Sequence, residues 1–204
     1  MAFFRLPLAA DDPPTVRGEG LVLRPPRAED HGAWAQLRDE SRGFLMPWEP
    51  IWPSDDLTKA AFRRRLKRYA REIEDDAAYP FLIFRDGDGL LLGGLTLGMV
   101  RRGVSQAATL GYWMGAAHAG QGIMTRAVRL AAGYAFDALR LRRLEAACVP
   151  TNAPSMRLLE RVGFRREGYA RQYLCINGAW QDHVLYGLLR DEFRSGPGPD
   201  TPLP

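Results

Sequence analysis

The chain has 204 residues, 46% hydrophobic and 25% charged, which suits one well-buried domain and leaves too little for two catalytic domains. No run of about 18 apolar residues exists to form a transmembrane helix, and two cysteines are too few for a disulfide framework. The net charge of +4 rests on arginine, since Lys59 and Lys67 are the only lysines; this modest excess suits anionic partners without marking a nucleic-acid binder.

Residues 1–15 and 194–204 are rich in Pro and small polar residues and read as a flexible N-terminal segment and a disordered C-terminal tail around a single domain, 16–193. Arg5, Pro7 and Asp11-Asp12 interrupt what a secretory signal would need, so the chain reads as cytoplasmic. Cys148 and Cys175 read as small buried hydrophobes. His31, His118 and His183 are scattered without ligand spacing, so no metal site is expected.

Leu21-Val22-Leu23-Arg24 reads as a first strand, closed by Pro25-Pro26. Asp30 is placed to cap a helix with Trp34, Leu37 and Ala33 on one face, ending near Ser41 to Gly43. The aromatic loop Phe44 to Pro53 is too rich in proline for a helix. Ser54 or Asp55 then opens a charged helix to about Asp76, with Leu57, Ala61, Leu66, Tyr69 and Ile73 as its inner stripe. Tyr79 to Phe84 and Leu90 to Leu97 form a hairpin through Asp86-Gly87-Asp88-Gly89, and Ala108 to Met114 adds a third antiparallel strand. A glycine loop leads into a helix that buries Val128, Ala131, Ala132, Ala135, Phe136 and Leu139. Arg143 to Val149 is a strand, Pro154 suits the first turn of the next helix, and Gly163 suits its C-cap. Tyr173 to Ile176 and Trp180 to Leu188 close the chain as a hairpin on Asn177-Gly178. This order implies an α/β (α+β) fold, a mixed sheet with helices on its faces.

Gly120-Gln121-Gly122-Ile123-Met124-Thr125 lies between a strand and a helix, where glycines let backbone N–H groups approach a phosphate and the helix N-terminus adds positive charge. Gly-x-Gly also marks ordinary turns, and the loop is neither a Walker loop nor a dinucleotide fingerprint. Further on, Asn152 and Ser155 fall on one side of a helix start; on their own they read equally as an N-cap and a first-turn polar residue.

Together the two segments resemble the GNAT N-acetyltransferase superfamily, whose phosphate loop runs Gln/Arg-x-x-Gly-x-Gly/Ala and whose later segment runs Asn-x-x-Ser/Ala followed by Gly-Phe, here Gly163-Phe164. Arg24, the loop Phe44 to Pro50, the stretch Glu145 to Asn152, and Asp182-His183-Val184-Leu185-Tyr186 resemble its RimJ/RimL-type branch of ribosomal-protein N-terminal acetyltransferases. The resemblance spans roughly residues 16–193. It implies a mostly antiparallel sheet splayed at the cofactor site, with helices on both faces, and acetyl-CoA as cosubstrate. The pantetheine arm would lie beside Tyr112, Trp113 and Met114, and the pyrophosphate on Gly120, Gln121, Gly122, Ile123, Met124 and Thr125. Ala119 and Met124 depart from the pattern, which backbone contacts tolerate.

In the same resemblance Asn152 orients the pantetheine and Ser155 sits near the sulfur as candidate proton donor, because Leu159 occupies the position where relatives carry a Tyr. The oxyanion would meet a strand N–H near Met114. Glu145 and Glu49 are both candidate bases, directly or through a water, with Glu145 preferred. Trp48, Glu49 and Tyr186 are candidates for the acceptor groove, while Trp34, Trp48 and Trp52 fit either core packing or a groove wall. With no cysteine placed to carry an acetyl group, direct attack in a ternary complex is expected. The acceptor implied is a primary amine, foremost the N-terminus of a ribosomal protein; an antibiotic or polyamine amine, or a CoA-binding module without turnover, are the alternatives. Arg63 to Arg68 and Arg140 to Arg143 read as solvated faces that could rest on the ribosome, without sequence-specific nucleic-acid recognition. Monomer and homodimer are both compatible with the sequence.

Overall fold

The computed structural model describes residues 14–195; of the tails read at 1–15 and 194–204, residues 1–13 and 196–204 lie outside the described residues. In chain order the elements are β1 (Val16–Gly18), β2 (Leu21–Arg24), α1 (His31–Glu40), α2 (Arg42–Leu45), α3 (Lys59–Glu74), β3 (Tyr79–Arg85), β4 (Leu91–Arg101), β5 (Ala107–Met114), α4 (Ile123–Gly133), β6 (Arg143–Cys148), α5 (Ala153–Val162), β7 (Arg165–Ile176), β8 (Ala179–Leu189) and α6 (Arg190–Ser195). The strands form one sheet ordered β1-β2-β3-β4-β5-β6-β8-β7. Every pairing is antiparallel except β5 with β6.

β3 shows why both faces are covered. Its alternate residues Tyr79, Phe81 and Ile83 join one core cluster with Val128 and Phe136 beyond α4's first turns and Leu159 of α5. Leu82 and Phe84 join a second cluster with Trp34 and Leu37 of α1 and Phe62 of α3. A strand buried on both faces reads as an unbroken apolar run rather than an alternation.

The feature that positions the site is the divergence of β5 and β6. They pair only over Ala107 to Thr109 and Arg143 to Glu145, although β5 continues to Met114 and β6 to Cys148. Each strand follows its outer neighbour instead: Met114 pairs with Gly93 of β4 and Cys148 with Val184 of β8. The sheet therefore opens into a V whose inner strand edges lack ladder partners.

Several elements differ from the sequence reading. Residues 42–48 are helical: α2 leads into a 3-10 turn, Met46–Trp48, with Pro47 in its first turn, where a missing N–H costs nothing. α3 begins later, at Lys59, because Thr58 is its N-cap and accepts the Ala61 N–H at 3.2 Å, while Asp55 and Asp56 are drawn into ion pairs with Arg64 and Arg65. Its fully buried residue is Phe62; Leu57, Ala61, Leu66, Tyr69 and Ile73 are half-buried. The Asp30 carboxylate does not cap α1 but binds the Arg24 guanidinium and the Arg27 N–H, and Ala33 is exposed. β1 and the first half of β7 carry too little apolar alternation to be read as strands. α6 extends into the expected tail, and Cys175 is exposed. Among the described residues no helix is long and apolar enough to cross a membrane.

Candidate active site

A cleft of about 440 Å³ opens at the V. Tyr112, Trp113 and Met114 of β5 form one wall, and Gly120, Gly122, Ile123, Met124 and Thr125 form its floor. Gly120 (φ +75°) and Gly122 (φ +71°) both sit in the left-handed region, which glycine enters without a Cβ penalty. The first hydrogen bond of α4 runs from the Arg126 N–H to the Gly122 carbonyl at 3.2 Å. The N–H groups of Ile123, Met124 and Thr125 are thus left without intrahelical partners at the positive end of the helix dipole. The Gln121 side chain turns away to the Ala117 carbonyl at 3.1 Å and does not line the cleft. Ser41, buried at the end of α1, accepts the Ala116 N–H at 2.9 Å and steadies the approach to the loop.

Across the V, Asn152 caps α5 by accepting the Ser155 N–H at 3.2 Å. Ser155 Oγ lies 2.7 Å from the Tyr112 hydroxyl and 3.0 Å from Cys148 Sγ. Burial pushes the Tyr112 phenol well above its ordinary value, and also raises the Cys148 thiol. A second cavity of about 190 Å³ adjoins the cleft, with Leu110, Cys148, Leu174 and His183 in its walls. The two cavities share Trp48, Tyr112, Asn152 and Ser155, so the hydroxyl pair stands between them. The sequence reading placed no cysteine here. Cys148 is present, but a thiol held protonated by burial is a poor nucleophile.

Two candidates are corrected. Glu145 lines neither cavity; its carboxylate accepts from Arg101 at 2.5 Å and Arg143 at 3.0 Å. Partial burial by itself would raise its pKa, but those two guanidinium hydrogen bonds outweigh it and hold the carboxyl below its ordinary value, the opposite of what a general base needs. Tyr186 is buried on the core side of β8, where its hydroxyl donates to Glu160 at 3.0 Å, and it lines neither cavity.

Glu145→Gln is therefore expected to leave turnover near the native level and to cost about 0.5–1 kcal/mol of stability at neutral pH, as partly exposed ion pairs do. A carboxyl depressed in the folded state adds stability above its unfolded pKa of about 4, and that stability is lost as pH falls through the folded value. Melting curves should show the gap between the two proteins closing below about pH 4.

Glu49 does line the cleft, yet its carboxylate accepts both Arg38 Nη groups, at 2.8 and 2.7 Å, and the Trp52 indole N–H at 2.7 Å. Arg38 lies over the rings of Trp52 and Trp113, 4.1 and 5.0 Å from their centroids. The Glu49 carbonyl accepts the Asn177 N–H at 2.8 Å, so the tip of the β7-β8 hairpin holds the same loop. The three tryptophans divide: Trp34 packs on Phe62 in the core, Trp52 stacks with Arg38, and Trp48 walls both cavities.

Residues 20–165 match the family model described as an acetyltransferase (GNAT) domain. The chain belongs to the GNAT family. It is 39% identical over 177 residues to the Probable N-acetyltransferase YjcK of Bacillus subtilis, covering 87% of this chain and 98% of that protein. It is 34% identical to the [Ribosomal protein uS5]-alanine N-acetyltransferase of Escherichia coli, covering 86% and 91%. Among solved structures, Mycobacterium smegmatis RimJ in complex with CoA-disulfide superposes with a TM-score of 0.81 at 34% identity, covering 88% of each chain. The Vibrio fischeri ribosomal-protein-S5-alanine acetyltransferase also gives 0.81, at 30% identity over 88% of this chain and 98% of that one. This GNAT protein is thus an N-acetyltransferase related to the RimJ-type enzymes.

Some residues at the cleft escaped the sequence reading. Arg157 and Arg161 of α5 line the cleft together with His118. Arg38 had a usable signal: Trp34, Leu37, Arg38 and Ser41 follow the i, i+3, i+4, i+7 pattern of one helical face, and Trp34, Leu37, Arg38 and Ser41 are all buried.

Proposed function

We propose that the enzyme transfers the acetyl group of acetyl-CoA to the N-terminal amine of a ribosomal protein by direct attack within a ternary complex. The observation that carries this reading is the pair of cavities meeting at Tyr112 and Ser155, one suited to a phosphorylated cofactor and the other to a neutral or singly charged amine. Among the described residues no Asp or Glu lines the smaller cavity, whereas a polyamine or aminoglycoside site would need carboxylates to match several cations. The names of the uS5-alanine relatives support the ribosomal acceptor.

The residues fit acetyl-CoA. The three unpartnered N–H groups of α4 and the cations Arg157 and Arg161 suit its phosphates, and the unladdered inner edge of β5 can accept its amide-bearing arm as a strand would. When bound, acetyl-CoA supplies an activated carbonyl and a sulfur leaving group. Asn152 orients the arm, a β5 N–H near Met114 meets the developing oxyanion, and Tyr112 with Ser155 donates a hydrogen bond to the departing sulfur.

Lys59, Arg63, Lys67 and Arg71 favour an acceptor presented on an anionic particle. They are spaced i, i+4 along α3 and all exposed, and none of them forms an ion pair among the described residues, while Arg64, Arg65 and Arg68 in the neighbouring rows are paired. Like charges at that spacing destabilise a helix.

Incubation with acetyl-CoA, a panel of N-terminal peptides and a panel of small amines, read by thiol release, tests the acceptor. Selective turnover of peptides, together with ribosome binding that weakens with salt, is expected. Turnover of small amines alone would overturn it.

A further inference from the structure

We infer that His183 is the base that takes a proton from the acceptor amine in the smaller cavity. The inference rests on the proposal that this cavity receives the amine. His183 is 2% exposed, sits on β8 opposite Ala170, and lines the cavity that also holds Tyr112, Cys148 and Ser155. Its Nδ1 is 2.9 Å from the Gln181 carbonyl. A carbonyl oxygen can only accept, so Nδ1 carries the proton and donates it there. The lone pair of the neutral ring is then on Nε2, which is engaged in no hydrogen bond among the described residues. The Tyr173 ring meets the imidazole edge-on at 5.7 Å and restrains its plane. One ring nitrogen fixed by a backbone carbonyl and the other left as an acceptor is the arrangement a histidine base requires.

Among the described residues no carboxylate competes with it in the cavity. Glu145 is outside it, and Glu49 lies in the cleft, committed to Arg38 and Trp52. The titratable groups around His183 are Tyr173 on β7, Tyr112 and Cys148 across the cavity, and the neighbouring Asp182. Burial raises Tyr112 and Cys148. The Asp182 carboxylate accepts the Gln172 N–H and the Tyr169 hydroxyl, which lower its pKa.

The protons balance as follows. Nε2 accepts one from the ammonium, and the freed nitrogen lone pair forms the C–N bond as the C–S bond breaks and its electron pair leaves with sulfur. Of the two protons the nitrogen loses, one ends on the CoA sulfur through the Ser155 and Tyr112 hydroxyls and the other passes from His183 to solvent.

The test compares H183Q with the native enzyme on the best peptide acceptor. Expected are a fall in kcat/KM of about 10²-fold or more, an acidic limb in H183Q set by the acceptor amine's own ionisation, about pH 8 for a protein N-terminus, and an acetyl-CoA Kd unchanged by calorimetry. The E49Q variant should keep the shape of the native pH profile. A loss under fivefold, or an H183Q pH profile superimposable on the native one, overturns the assignment. Should H183Q fail to fold, the native ring decides by 15N NMR: an Nδ1-protonated tautomer whose Nε2 resonance moves on adding acceptor supports it, and an Nε2-protonated ring overturns it. If the native enzyme turns over only a small amine, the peptide reading fails while the same comparison on that amine still decides the base. An enzyme inert to every amine overturns both.

Discussion

Arg38→Ala is expected to destabilise the enzyme by about 3 kcal/mol and lower its melting temperature by about 6–12 °C. The guanidinium makes two hydrogen bonds to Glu49 and lies over two indole rings. Its removal strands a half-buried carboxylate and opens the space between Trp52 and Trp113. A buried pair broken from one side costs more than the pair contributes, because the remaining charge loses its partner. The site is not optimised for stability, since Arg38 Nε is buried without an acceptor. That suits a residue retained to fix the loop carrying Trp48 and Glu49. Arg38→Lys is expected to recover little, because an ammonium can neither bind the carboxylate bidentately nor stack as a plane on both rings. Peptide kcat/KM should fall on the order of 10- to 100-fold as the loop shifts. Acetyl-CoA binding should change less, because the approach to the glycine loop is steadied separately through Ser41 and Ala116. Calorimetric melting and acetyl-CoA titration of the two variants check this; an acetyl-CoA Kd that collapses with the loop would show that the two anchors are not independent.

What was legible in the sequence was local backbone chemistry. Gly120 and Gly122, read as a glycine loop between a strand and a helix, lie there with both residues at positive φ. Asn152 caps α5, Gly163 ends it at φ +108°, and Asn177-Gly178 turns the last hairpin with both residues at positive φ. Each depends on residues within a few positions of one another. What was not legible depends on strand register and on the splay. Ser155 meets Tyr112 across 43 positions only because β5 and β6 part after Thr109 and Glu145. Glu145 looked like a base because a strand carboxylate near the site carries no mark of its partners. Those partners, Arg101 on β4 and Arg143 two residues before it, follow from strand order and from the alternation of β6. His183 gave no ligand spacing and so no metal signal. Its position becomes meaningful only once Gln181 supplies the tautomer and the diverging strands supply the cavity.

Tyr112→Phe and Ser155→Ala are each expected to lower kcat about 10- to 100-fold, and the double variant to be no slower than the worse of the two. The two hydroxyls are 2.7 Å apart and stand between the cavities, so they act on the departing sulfur as one hydrogen-bonded unit, and either deletion breaks it. Burial pushes the Tyr112 phenol far above the range in which a thiol titrates. Complete proton transfer from phenol to sulfur is therefore uphill. The unit instead works as a relay, giving a proton to the sulfur only as it takes one from the reacting nitrogen, so that no phenolate forms. The sign of the pH effect follows: with Tyr112 protonated throughout the assay range, neither variant should remove a basic limb, and the rate loss should be constant from pH 7 to 10. A loss that grows with pH in Tyr112→Phe would instead mark the phenol as a titrating acid. Multiplicative losses in the double variant would mean that the hydroxyls act on different atoms.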